Sequence, residues 1–309
     1  MDKIIKITIQ KGFTVCLFFL IGFSAIGASR SPEIVAHRAG TADAPENTYL
    51  AIDTALKNHA DAIWISIQST KDAKFVLYRP SDLNALTDMS GQISSYTANE
   101  LKKANAAIKF NNKNKTKYTL PITAIPELQE TLRRYPATQF YIDLKSPDTN
   151  ATFQAKQLFN VLNKTNAFSR TRFYSTNSNY INALTTLSDK IQVFENRDET
   201  RTILANSIME HLCELPKAQI TASNAGKKRW YGFELRRKVE VVEHYTLGEA
   251  RSPATLIWDK SAIECFRKND DAYIMLFGIN TLEDYQLAKQ LGADAVMVDS
   301  PKLFYTSNK

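Results

Sequence analysis

Short apolar runs alternate with segments of helical period along nearly the whole chain beyond residue 30, and no other feature restricts the possible folds as tightly. The runs occupy residues 34–36, 62–69, 75–78, 139–144, 171–174, 190–194, 230–234, 272–277 and 295–298. Between them, 48–58, 125–134, 151–163, 178–187, 200–212, 254–268 and 281–291 carry apolar positions at three- and four-residue spacing, the period of a helix that buries one face. Such alternation implies repeated βα units around a parallel sheet. The polar stretch Thr70-Lys-Asp-Ala-Lys74 joins two of the runs and predicts that the second strand continues into a hairpin. Residues 103–117, with Asn111-Asn-Lys-Asn-Lys-Thr-Lys117, form a polar, basic tract that reads as a solvated loop.

A closed barrel of eight βα units needs about 250 residues, close to what 309 residues leave once the first 28 are set aside. Those residues begin with the positive stretch Met1-Asp-Lys-Ile-Ile-Lys6, continue with an apolar run over 12–26, and end in the small residues Gly27 and Ala28. The run is shorter than the roughly 20 residues needed to cross a bilayer, so 1–28 reads as a secretory signal peptide and 29–309 as one domain, exported to the periplasm or beyond. Without Lys3, Lys6, Lys11 and Asp2 the excess of basic over acidic residues falls from +7 to +5. That excess suits anionic ligands and membrane surfaces, while no Lys/Arg block has the density of a nucleic-acid surface. Cys213 and Cys265 remain in an oxidising compartment; a disulfide and two separate thiols are equally compatible with the sequence.

In such a barrel functional groups sit where strands end. His37, Arg38, Ser66, Tyr78, Arg79, Asp143, Lys145 and Asp299 lie at or just past such ends and are expected around one mouth. His37-Arg38 followed by Pro45-Glu-Asn-Thr48 reads as a strand that delivers a phosphate-handling pair into a loop and then opens a helix. Glu46 and Asn47 are expected to support that loop.

These residues resemble the glycerophosphodiester phosphodiesterase family, metal-dependent phosphoric diester hydrolases built on a TIM (β/α)8 barrel of the α/β class. The resemblance rests on His37-Arg-Ala-Gly40, Pro45-Glu-Asn-Thr48, Thr70-Lys-Asp72, Ile125-Pro-Glu-Leu-Gln-Glu130, Asp143-Leu-Lys145 and Gly292-Ala-Asp-Ala-Val-Met-Val-Asp-Ser-Pro301, in the family's order. Residues 190–252 carry no motif that aligns. In the family a Glu-x-Asp pair on the second strand and the Glu of Glu-x-Lys hold the metal, and two histidines act as acid, base or nucleophile. Here the pair is Trp64 and Ser66, the Glu is Asp143, and Tyr78 and Arg79 stand where the second histidine and its following Asp belong.

A hard cation such as Ca²⁺ or Mg²⁺ is held by charged oxygens, and only Asp143 retains one. No cofactor is therefore expected, and hydrolysis should be absent or weak. The resemblance then implies a phosphate site made of His37, Arg38, Arg79 and Lys145, with His37, Arg38, Lys145 and, less favourably, Tyr78 available for residual chemistry. The ligand implied is a small phosphodiester or a phospholipid headgroup. Two other functions are compatible with the sequence: an active hydrolase whose Ca²⁺ or Mg²⁺ ligands have moved to Glu46, Asp82 or the unaligned stretch, and a non-enzymatic envelope protein whose pocket is closed by Trp64.

Overall fold

The computed structural model describes residues 30–215, 228–268 and 272–307. Strand β1 (Glu33–Ala36) leads through α1 (Tyr49–Lys57) to β2 (Ala62–Ser69), which turns back as the antiparallel β3 (Phe75–Leu77). An excursion with α2 (Ala98–Leu101) and α3 (Ile108–Asn114) follows before α4 (Leu128–Arg134) returns the chain to β4 (Gln139–Leu144). Then come α5 (Ala151–Thr165), β5 (Thr171–Tyr174), α6 (Ser178–Leu187), β6 (Gln192–Val193), α7 (Arg197–Met209) and β7 (Trp230–Glu234). A hairpin of β8 (Arg236–Tyr245) and β9 (Gly248–Ile257) precedes α8 (Lys260–Arg267), β10 (Tyr273–Phe277), α9 (Leu282–Leu291), β11 (Ala295–Val298) and α10 (Pro301–Ser307).

Eight strands run parallel in the order β6-β5-β4-β2-β1-β11-β10-β7, so the last strands of the chain close back on the first, with Ala36 beside Val298. The ring is nearly complete. Between β6 and β7 no ladder forms among the described residues, and the seam is bridged instead by Glu195 N–H donating to the Trp230 carbonyl at 2.7 Å and by the Arg229 guanidinium on both Glu195 carboxylate oxygens.

All eight residues of β2 are buried, the mark of a strand covered on both faces. Its outward residues Ile63, Ile65 and Ile67 pack with Leu128 and Leu132 of α4 and Leu158 of α5. Its inward Trp64 meets Tyr141, Tyr174, Phe194 and Phe277 inside the ring, with centroids 5.2–6.5 Å apart. Phe277 needs the space that Gly232 leaves, because a Cβ there would stand 2.5 Å from its Cζ.

The alternation foreseen from the sequence is largely what forms, with informative departures. The run at 190–194 yields only a two-residue strand, at the seam where its sole ladder partner among the described residues is β5. Residues 254–257, grouped with a helix by their spacing, finish β9, and α8 starts at Lys260 behind the Asp259 cap. The basic tract at 103–117 is not simply a loop, for it contains α3. Cys213 and Cys265 are joined as a disulfide with Cα atoms 5.6 Å apart. The segment read as a signal peptide, 1–28, lies outside the described residues.

Candidate active site

The first functional loop owes its shape to backbone that L-residues adopt rarely. Arg38, Ala39 and Gly40 have φ of 47°, 67° and 94°, a left-handed run of the kind that persists only where surrounding contacts enforce it. Here Asn47 N–H donates to the Arg38 carbonyl, Ala42 N–H donates to Asp299 O, and Gly40 N–H closes onto His37 O. Thr48 caps α1 by accepting from Ala51 N–H, which fixes where the loop ends.

The loop carries a hydrogen-bonded series. A carboxylate only accepts, so His37 donates from Nδ1 to Asp299 Oδ1 at 2.7 Å and presents Nε2 as an acceptor, which takes the Arg38 Nε hydrogen at 3.1 Å. Arg38 Nη1 then donates to Glu46 Oε2 at 2.7 Å, while its Nη2 makes no hydrogen bond among the described residues. Burial pushes the Asp299 carboxyl up, but the His37 hydrogen bond and charge, with bonds from Thr41 and Asn280, outweigh it and hold the group down to about 2.

On the neighbouring strands Ser66 stands beside Asp143 in register. Ser66 is buried, and its backbone N–H donates to Asn47 Oδ1, so Asn47 ties the His-Arg loop to β2. Asp143 Oδ2 lies 3.1 Å from Lys145 Nζ. Burial dominates there: the Asp143 carboxyl is pushed up to about 6 although Lys145, Arg79 and His37 pull it down. Arg79 is exposed, within electrostatic reach of Asp143, and makes no hydrogen bond or ion pair among the described residues.

His37, Arg38, Glu46, Asn47, Ser66, Asp143, Lys145 and Arg79 are thus gathered at the C-terminal ends of β1, β2 and β4. Tyr78 is not available beside them as a proton donor. Its hydroxyl sits 3.0 Å from both the Asp82 and the Leu83 carbonyl oxygens, inside an apolar cluster with Leu83 and Ile93, and burial drives its pKa upward. Asp82 is likewise committed, accepting from the Asn84 and Gly91 amides. Trp64 is 3% exposed and belongs to the aromatic interior.

Sequence reasoning placed Asp299 at the mouth without giving it a role; its partner lies 262 residues away. It missed Arg197 and Glu234, which join through two bonds of 2.7 and 3.0 Å and, like Asp143, act electrostatically on Tyr174. Both lie in the stretch without aligned motifs, so no local signal marked them.

A divalent cation finds little here. Glu46 Oε1 and Asp143 Oδ1 are buried without partners among the described residues, yet Trp64 and Ser66 add no charge and Lys145 sits against Asp143. Among the described residues no group of three or more His, Cys, Asp or Glu side chains is arranged to hold a metal. The residues present are a poor fit for Ca²⁺, which takes six to eight oxygens, or for Mg²⁺, which is anchored by one or two carboxylates, because Glu46 and Asp143 are each already ion-paired, to Arg38 and Lys145.

The profile of the glycerophosphoryl diester phosphodiesterase family matches residues 37–303. The chain belongs to this family. Protein Rv2277c of Mycobacterium tuberculosis is 38% identical over 300 residues, spanning 94% of this chain and 96% of that protein. The crystal structure of the glycerophosphoryl diester phosphodiesterase domain of Rv2277c superposes with a TM-score of 0.79 at 35% identity, covering 90% of this chain and 100% of that one. A phosphodiesterase of Oleispira antarctica, solved with the product sn-glycerol-3-phosphate, shares the fold at a TM-score of 0.63 and 17% identity, with 90% and 96% of the two chains covered. The family's TIM barrel is therefore the fold of this chain too.

Proposed function

We propose that the barrel mouth binds a small phosphate ester, such as a glycerophosphodiester or a lipid headgroup, and that metal-dependent hydrolysis is absent or feeble. One observation carries this reading. Every carboxylate at the His-Arg end of the mouth already has a cationic or donor partner, whereas Arg79 and the Nη2 group of Arg38 have none among the described residues. Guanidinium groups present forked donors that match phosphate oxygens, and Lys145 adds a point charge. The sn-glycerol-3-phosphate bound by the Oleispira antarctica relative supports this ligand class.

The residues can do limited chemistry without a metal. Asp299 orients the His37 ring and fixes the proton on Nδ1, so Nε2 is the atom able to accept a proton once a phosphate draws Arg38 away from it. With Tyr78 held by carbonyls, no second acid faces it from that position. Export to the periplasm or beyond belongs to the same proposal, and the Cys213–Cys265 disulfide supports it.

An active hydrolase with other metal ligands is favoured by one feature, the partnerless oxygens of Glu46 and Asp143. Calorimetric titration with Ca²⁺ and Mg²⁺, beside an assay of glycerophosphocholine hydrolysis, separates the two readings. The expected result is no saturable metal binding, and a thermal shift with sn-glycerol-3-phosphate that Arg38→Ala and Arg79→Ala each weaken by roughly 10- to 100-fold in affinity, the loss typical of a charged hydrogen bond. Fast hydrolysis abolished by chelator would overturn the proposal.

A further inference from the structure

The basic tract that the site leaves unused is folded into a compact surface. Residues 101–126 contain six lysines and neither Asp, Glu nor Arg. The neck of the excursion is closed where Asn105 pairs with Ala124, where Ala106 N–H donates to the Thr123 carbonyl, and where Thr123 Oγ1 donates to Asn105 Oδ1. Beyond the neck, Asn111 folds the chain back on α3: its Oδ1 accepts from Thr116 Oγ1 and Tyr118 N–H, and its Nδ2 donates to Tyr118 O. The Phe110 and Tyr118 rings then meet at 6.2 Å.

This fold brings Lys109, Lys113, Lys115 and Lys117 onto one small lobe, all exposed and with no salt bridge among the described residues. Leu120 and Ile122 stand on the same lobe, 41% and 44% exposed. The lobe belongs to the mouth end of the barrel. The excursion that carries it is fastened to the turn after β2 by Lys71 N–H on Tyr96 O and Ala98 N–H on Asp72 Oδ1, and to the loop after β4 by Ser94 Oγ on Asp148 Oδ2.

A second projection leaves the same end. The hairpin of β8 and β9 springs from β7, which stands four places from β2 in the ring of eight and therefore across the mouth. Ten paired positions carry it roughly 30 Å at about 3.3 Å per residue. Leu247 at its tip is fully exposed, and the adjacent Tyr245 is 61% exposed.

We infer that the mouth end docks on an anionic phospholipid bilayer, with the lysines of the 107–122 lobe against the headgroups and the Tyr245–Leu247 tip entering the interface. Charge complementarity and exposed apolar side chains together select this occupant. A lobe of lysines offers point charges to any diffuse polyanion, and it is the exposed apolar side chains of Leu120, Ile122, Tyr245 and Leu247 that favour a lipid surface over a nucleic acid. Exposed leucine and isoleucine beside those lysines suit a surface with an apolar interior. The inference does not depend on turnover or on what the mouth itself binds.

The test is sedimentation of the domain from Arg30 onward, which holds the whole described barrel, with vesicles. One set is phosphatidylcholine alone and the other contains about a third phosphatidylglycerol, where each lysine contributes on the order of a fivefold factor in partitioning. The expected result is strong preference for the anionic vesicles, lost progressively with added salt and reduced on the order of 600-fold by K109A/K113A/K115A/K117A. Leu247→Asp should lower partitioning on both vesicle types. The four lysines are exposed, so an unchanged melting curve certifies the variant's fold. Equal binding to neutral and anionic vesicles, retention by the quadruple variant, or tighter binding to a double-stranded oligonucleotide than to vesicles would each overturn the inference.

Discussion

Asp143 shows how one buried carboxylate sets both the chemistry and the pH response of the mouth. Its folded pKa lies above the ordinary 3.8, at about 6, so the stability it contributes is fully present below pH 3.8 and is lost as pH rises through about 6. A shift of about two units corresponds to about 3 kcal/mol. Denaturant unfolding at about pH 4 and pH 8 should therefore show a loss of up to roughly that size that Asp143→Asn removes. Asp299 has the opposite sign: held down to about 2, it stabilises above its ordinary pKa and stops doing so as pH falls through about 2. Gly232 is constrained by space rather than charge. Gly232→Ala would drive a methyl into the Phe277 ring at 2.5 Å and should destabilise the domain by about 1–3 kcal/mol, measurable by the same unfolding method.

At the level of elements, the parts without family motifs are held by means other than the barrel ladder. The disulfide ties the segment after α7 to α8 across 52 residues. Closing a loop of that length in the unfolded chain is worth about 4 kcal/mol by chain entropy, and measured losses run about 2–5 kcal/mol. Replacing both cysteines with serine should lower the unfolding free energy within that range, with the midpoint of a denaturant curve as the readout. The excursion after β3 has its own small core of Val76, Tyr78, Leu83, Ile93, Leu101 and Ile125. Tyr78 is central to it, which explains physically why a residue at a site position serves the packing of the excursion instead.

Across the whole molecule, the described residues leave the ring without a ladder between β6 and β7. There the Glu195–Trp230 backbone bond, the Arg229–Glu195 pair and the Phe194–Trp230 ring contact stand in place of a ladder, whereas β2 and β4 share a six-residue register. Opening free energies follow such differences in local support. Native-state hydrogen exchange should find the amides of Val193 and Phe194 exchanging well before those of Ile65 and Ile142; equal protection would show that the seam opens only with the whole barrel.

The barrel was legible in the chain because strand and helix periods are local, and short apolar runs such as 62–69, 139–144 and 295–298 alternate with segments of helical period, the pattern of parallel strands covered on both faces. That Trp64 and Ser66 bring no carboxylate to their strand was legible for the same reason: residue identity is written directly in the sequence. Tertiary structure alone decided that Asp299 orients His37, that Arg197 meets Glu234, that Tyr78 turns away from the mouth, and that the basic tract folds back on a helix instead of forming a loose loop. Each of those facts depends on residues far apart in the chain or on a turn of backbone, and neither distance nor direction in space is carried by spacing along the sequence.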